Sequence, residues 1–99
     1  MTDICQCEIL PISFELGKVV LTQGINHLIQ GEHDKLKPFL DRHYSCDWGT
    51  TCEEDSLVNN EATHNGGRIM SQYDYDDIQI WIITEWDRSV TTVLLPSEY

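Results

Sequence analysis

The last twenty-two residues, Ile78 to Tyr99 (IQIWIITEWDRSVTTVLLPSEY), constrain the fold of this chain more than any other stretch. Two short apolar runs rich in β-branched residues, Ile78–Thr84 and Val90–Leu95, flank the polar link Glu85-Trp86-Asp87-Arg88-Ser89. Runs of this length and composition read as strands, and a five-residue link suits a hairpin. Successive side chains alternate, so Ile80 and Ile82 point one way and Trp81 and Ile83 the other. A strand apolar on both faces belongs at the centre of its sheet or under cover on both sides. Trp81 and Ile82 are therefore both expected to be largely buried.

Upstream, residues 1–15 alternate poorly and contain Pro11, which suits an extended arm or an edge strand. Leu16–Thr22 reads as a strand. Thr22 then caps a short helix with Ile25, Leu28 and Ile29 on one face, stopped by Gly31. A second helix spans about Asp34 to Tyr44, with Leu36, Phe39, Leu40 and Tyr44 at helical spacing and Pro38 in its first turn. After a loop over 45–50, Thr51 and Glu54 have the form of a capping box, and Leu57, Val58 and Ala62 mark the inward face of a third helix. Asn65-Gly66-Gly67 ends it. Arg68–Tyr75 reads as a strand and Asp76-Asp77 as a tight turn. The order β-α-α-α-β-β-β describes one α+β domain over residues 1–99. Its C-terminal three-stranded antiparallel meander, which the N-terminal strand is free to join, packs against two or three short helices.

Charge sets the functional bounds. Six basic and seventeen acidic side chains leave a net charge of −11 on 99 residues. Residues 1–40 carry five acids and three bases, residues 41–99 twelve acids and three bases. Direct nucleic-acid binding is disfavoured, because phosphate contacts need clustered Lys and Arg. A field of this sign steers basic partners, while its ordinary reading is solubility. No apolar run approaches the roughly 20 residues of a membrane span. The first residues lack the basic and apolar regions of a signal peptide, so a cytoplasmic location without membrane contact is expected.

Three clusters carry the candidate chemistry. Cys5, Cys7, Cys46 and Cys52, with His43 nearby, supply enough ligands for zinc, but the spacing is not that of a zinc ribbon. Reduced thiols without metal are the preferred reading. His43, Asp47, Glu53, Glu54 and Asp55 place an imidazole and four carboxylates around one loop and helix start, a set suited to a cation or to acid–base work. Against it stands the plainer reading of helix-terminal charges facing water. Glu85, Asp87 and Arg88 form the third cluster, where Arg88 is expected to pair with either acid or with Asp47. Trp48 and Trp86 read as half-buried anchors of their loops. No nucleophile motif, phosphate loop or metal-spaced His pair is present, and no cofactor is expected.

His43, Asp47-Trp48-Gly49, Glu54-Asp55, Asn60, Gly67, the run Trp81-Ile-Ile-Thr-Glu-x-Asp-Arg-Ser-x-Thr-Thr and the closing Leu-Pro-x-x-Tyr resemble a family of small bacterial proteins common on plasmids and other mobile elements. The likeness covers roughly residues 42–99. That family pattern has a glycine where this chain has Cys46 and a small residue where it has Trp86. The resemblance implies a mobile-element accessory gene and no particular reaction.

Two functions follow as expectations. The favoured one is a small acidic inhibitor of a host defence system, of the anti-CRISPR or anti-restriction kind. It would act as a nucleic-acid mimic that occupies a basic nucleic-acid-binding surface of a protein complex. Its partner-binding residues would be Glu53, Glu54, Asp55, Asp74, Asp76 and Asp77. The alternative is a small enzyme or a ligand- or metal-binding protein that uses His43, Asp47, Glu54, Asp55 and Arg88 in one cleft.

Overall fold

The computed structural model describes residues 9–99; Cys5 and Cys7 lie outside them. The chain runs β1 (Lys18–Leu21), α1 (Gln23–Leu28), a 3-10 turn (His33–Leu36), α2 (Lys37–Tyr44), α3 (Glu53–Asn65), β2 (Ile69–Tyr75), β3 (Ile78–Thr84), β4 (Val90–Leu94) and a last 3-10 turn (Pro96–Glu98). It is an α+β fold. The four strands form one mixed sheet in the order β1-β4-β3-β2, with β2, β3 and β4 as the antiparallel meander and β1 added parallel to β4. Residues 9–17, the arm before β1, make no strand.

Strand parity decides what meets what. The pairing of Tyr73 with Ile80 and of Ile82 with Val93 puts these four on one face. There Ile25 and Ile29 of α1 and Leu36 before α2 close the main core over them, all at most 1% exposed. A second apolar cluster joins Phe14 of the arm, Trp48, Ala62 of α3 and Ile69. On the opposite face the C-terminus does the covering. The Tyr99 ring packs edge-on to Trp81 at 5.5 Å, and its hydroxyl accepts from Arg68 at 2.9 Å. Tyr99 thus spans the row that holds Ile83, which is 2% exposed. Ile82 is fully buried as expected, whereas Trp81 is only half-buried, because no helix lies on its face.

The helices depart from expectation in instructive ways. The second helix is split, since Pro38 in the first turn of α2 leaves the preceding residues as a 3-10 turn. Tyr44, expected inward, is exposed, and His43 takes the buried position. Thr51 and Glu54 form no capping box. The cap is Cys52, and the Thr51 hydroxyl donates to Trp48 O at 2.6 Å and accepts from Gln72 N at 3.1 Å. Leu57 and Val58 are exposed; α3 turns Asn59, Ala62 and Thr63 inward instead. The reason is the partner it meets, which is the edge of β2 rather than an apolar face. Asn59 Nδ2 donates to Met70 O at 2.7 Å, and its Oδ1 accepts from Met70 N at 3.1 Å. One amide side chain thereby satisfies both backbone groups of an edge residue, as a neighbouring strand would. Two residues on, Thr50 N donates to Gln72 O at 2.7 Å. Gly49 bridges the same residue at φ +69, and a Cβ there would overlap the Gln72 carbonyl.

Asn59→Ala should therefore cost about 2–3 kcal/mol, since it leaves two backbone groups unsatisfied at a site where Asn59 is 4% exposed. Leu57→Ser should cost less than about 0.5 kcal/mol. Denaturant unfolding of the two variants checks the assignment, and equal costs would contradict it.

Candidate functional site

His43 is fully buried, and its ring is gripped at both nitrogens. Nδ1 lies 2.5 Å from Ser71 Oγ and Nε2 2.8 Å from Thr84 Oγ1. Thr84 Oγ1 lies 2.7 Å from Thr91 Oγ1, and the Thr91 hydroxyl donates to Leu16 O at 2.7 Å. Each hydroxyl owns one proton, so the chain has a single consistent direction. Thr91 gives its proton to Leu16, so it accepts from Thr84; Thr84 then accepts from His43 Nε2–H, and Ser71 donates to Nδ1. Burial lowers the imidazole pKa from 6.5 to about 4, which keeps the ring neutral and this relay intact at pH 7. Phe14 and Trp48 stand edge-on to the ring at 5.5 and 5.9 Å and shut out solvent.

The other residues expected to share a cleft with His43 are dispersed. Asp47 is held by Arg42 through Nε at 2.9 Å and Nη2 at 3.3 Å, and this guanidinium keeps its carboxyl below the usual range. Glu54 and Asp55 are exposed in the first turn of α3. Arg88 pairs with none of the carboxylates proposed for it. Its guanidinium donates to Gly67 O at 2.6 Å, Ala62 O at 2.8 Å and Glu85 O at 3.1 Å. It clasps the β3–β4 hairpin to the C-terminus of α3, where the Ala62 carbonyl also accepts from Gly66 N at 3.0 Å. Glu85 instead meets Arg68 at 3.4 Å, and Asp87 accepts from Ser89 within its own turn. The grooves beside β1 and α1 are lined by none of these five residues. The single cleft required by the enzyme or ligand reading is therefore not formed.

Among the described residues no group of three or more His, Cys, Asp or Glu is placed to hold a metal ion. Cys46 is half-buried and Cys52 exposed, both as free thiols. Cys46 adopts φ +66 with its N–H on His43 O, while Asp47 N bonds Arg42 O. That is the glycine-favouring end of a Schellman motif. Trp48 is buried, its Nε1 donating to Asn60 Oδ1 at 2.8 Å. Trp86 corrects the expectation of an anchor, being 68% exposed on the hairpin link.

The six carboxylates Glu53, Glu54, Asp55, Asp74, Asp76 and Asp77 are all exposed. The bonds of Thr50 and Thr51 to Gln72 set the start of α3 beside β2, two residues from Asp74 and four from the Asp76-Asp77 turn. Lys35 is bound to Glu32 at 2.8 Å, and that carboxylate, with a smaller contribution from Asp76, raises its pKa. What the sequence reading missed is the polar seam. Ser71 and Thr84 share strand parity with Ile69, Tyr73, Ile80 and Ile82, and that parity marks them as buried polar groups in need of a partner.

Two measurements follow. The unfolded chain binds a proton at His43 near pH 6.5 and the folded one only near pH 4. Stability should thus fall as pH drops through that window, by about 3 kcal/mol in total. Denaturant melts of the native protein and of His43→Gln should show this slope only in the former. Arg88→Ala should cost about 2–4 kcal/mol and Arg88→Lys most of it, since an ammonium cannot serve three separated carbonyls. Comparison with protein-family models, with curated proteins and with solved structures finds no match for the chain, so its functional reading rests on this geometry.

Proposed function

We propose that this is an acidic interaction protein of a mobile element. In this reading it inhibits a host defence complex of the anti-CRISPR or anti-restriction type by occupying a basic nucleic-acid-binding surface. One observation supports the reading: six exposed carboxylates stand on the first turn of α3, on β2 and on the turn into β3, on a chain of net charge −11. Rigid placement matters, because a partner that binds phosphates pre-organises its cations and favours anions that need no reordering. Glu53, Glu54 and Asp55 ride on the first turn of α3, where the helix dipole favours them. Asp76 and Asp77 hold φ +47 and +70, the backbone of a tight hairpin turn. Complementary charge of this kind speeds encounter and sets specificity more than it adds raw affinity. Among the described residues the enzyme alternative has no observation in its favour.

The turn geometry dictates the test. Lysine at positive φ would strain the hairpin, whereas Asp76→Asn with Asp77→Gly suits such a turn and removes two charges. Combined with Asp74→Asn, this variant should fold at least as stably as the native chain. Its affinity for a partner recovered from host lysate should fall roughly tenfold or more, and native binding should weaken steeply between about 50 and about 200 mM salt. Binding that is flat with salt and unchanged in the triple variant would refute the proposal.

A further inference from the structure

The two edges of the sheet are treated differently. The β2 edge is covered at Met70 by Asn59 and at Gln72 by Gly49, Thr50 and Thr51. Among the described residues the β1 edge is open. Lys18 N bonds Ser89 O and Thr22 N bonds Val93 O, so Lys18, Val20 and Thr22 face β4. The backbone N–H and C=O of Val19 and Leu21 must then point outward, and among the described residues nothing pairs with them. The flank of this edge is apolar: Val19 is 39% exposed and borders a groove with Leu21, Leu36 and Leu40. An open edge with apolar neighbours is a template for another strand.

Charge points to the occupant. Lys35, Lys37, Arg42 and Arg68 each hold a carboxylate, and Arg88 holds backbone carbonyls. Among the described residues Lys18 alone of the Lys and Arg side chains has no partner, and it stands on the open edge. Four residues further along the same edge, the Thr22 hydroxyl donates to Glu98 Oε1 at 2.5 Å, and Glu98 Oε2 also accepts from Gly24 N at 2.9 Å. An unpaired cation and a fixed carboxylate at opposite ends of one short strand are complementary to the same strand turned end for end.

We infer that β1 is the seam of a symmetric dimer, in which β1 pairs antiparallel with β1 of a second copy about a twofold axis through Val20. Val19 exchanges two backbone hydrogen bonds with Leu21 of the second copy, and the symmetric pair doubles them to four. Lys18 comes opposite Thr22 of the second copy, beside its Glu98, and this also occurs twice. The joined sheet has eight strands. The acidic β2 strands stand at its outer ends, seven strand spacings or about 34 Å apart, well beyond the screening length of about 8 Å. No other sheet edge lets two chains of charge −11 meet with their acidic β2 strands so far separated. The contact is small, at the low end of specific interfaces, which suits a reversible dimer. This inference is independent of the inhibitor reading, and it presents those six carboxylates twice.

Sedimentation velocity on the purified full chain, from about 1 to about 300 μM, should show a reversible monomer–dimer equilibrium. Lys18→Glu, an exposed substitution that leaves the strand intact, should weaken it at least tenfold, as should Val19→Lys, with circular dichroism confirming the fold. Val19→Lys lowers the net negative charge, so its effect cannot come from added repulsion. Mild oxidation of Val20→Cys should give a dimer linked through position 20 in both chains, identified by peptide mass mapping. A monomer throughout that concentration range overturns the inference. So does a dimer that both edge variants leave unchanged, or the absence of any position-20 cross-link.

Discussion

The hydrogen-bond relay through His43 is the interaction on which the rest of the structure depends. It joins α2 to β2 through Ser71, to β3 through Thr84, on to β4 through Thr91 and finally to the arm at Leu16. It lies between the two apolar clusters, where an unpaired ring nitrogen or hydroxyl would carry a full desolvation cost. Every proton in it has one direction, so each group is satisfied only when all five segments are in register. Apolar contacts tolerate small shifts; this seam does not. It specifies the position of α2 over the sheet and holds the described arm against β4.

Around that seam the fold uses polar groups to finish its margins. Asn59 stands in for a fifth strand beside β2, and Arg88 closes the C-terminus of α3 from the far hairpin. Both resemble chemistry in the sequence, an amide and an arginine among acids, and both are structural. With these margins completed by side chains, a core of modest size supports a four-stranded sheet that has helices on one face only. The β1 edge is the exception, and its openness coincides with the one unpartnered lysine of the described residues.

The charge distribution follows from the same economy of contacts. Ion pairs with Asp41, Asp47, Glu32 and Glu85 absorb most of the cations, and six of the acids outside these pairs stand where α3 begins, on β2 and on its turn into β3. Such surface pairs add little stability each. Their consequence is electrostatic, since among the described residues no Lys or Arg forms an ion pair with these six acids.

The sequence by itself determined the elements and the class of the fold. Strand composition, the Pro38 and Gly66 signals and the Asp76-Asp77 turn are local, and local geometry follows from the residues that adopt it. Periodicity even placed Ile25, Ile29, Leu36 and Ile82 in the core. Only the tertiary structure decided what the polar residues do. His43, Arg88 and Asp47 looked like one site because they are polar and near one another in the reading. Asp47 bonds locally to Arg42, five residues away, while the partners of His43 and Arg88 lie 28 and 21 or 26 residues away, in elements whose packing no local pattern encodes. Leu57 and Val58 misled for the same reason: a helix facing a strand edge needs hydrogen-bonding groups inward, and the identity of that neighbour is a property of the assembled sheet.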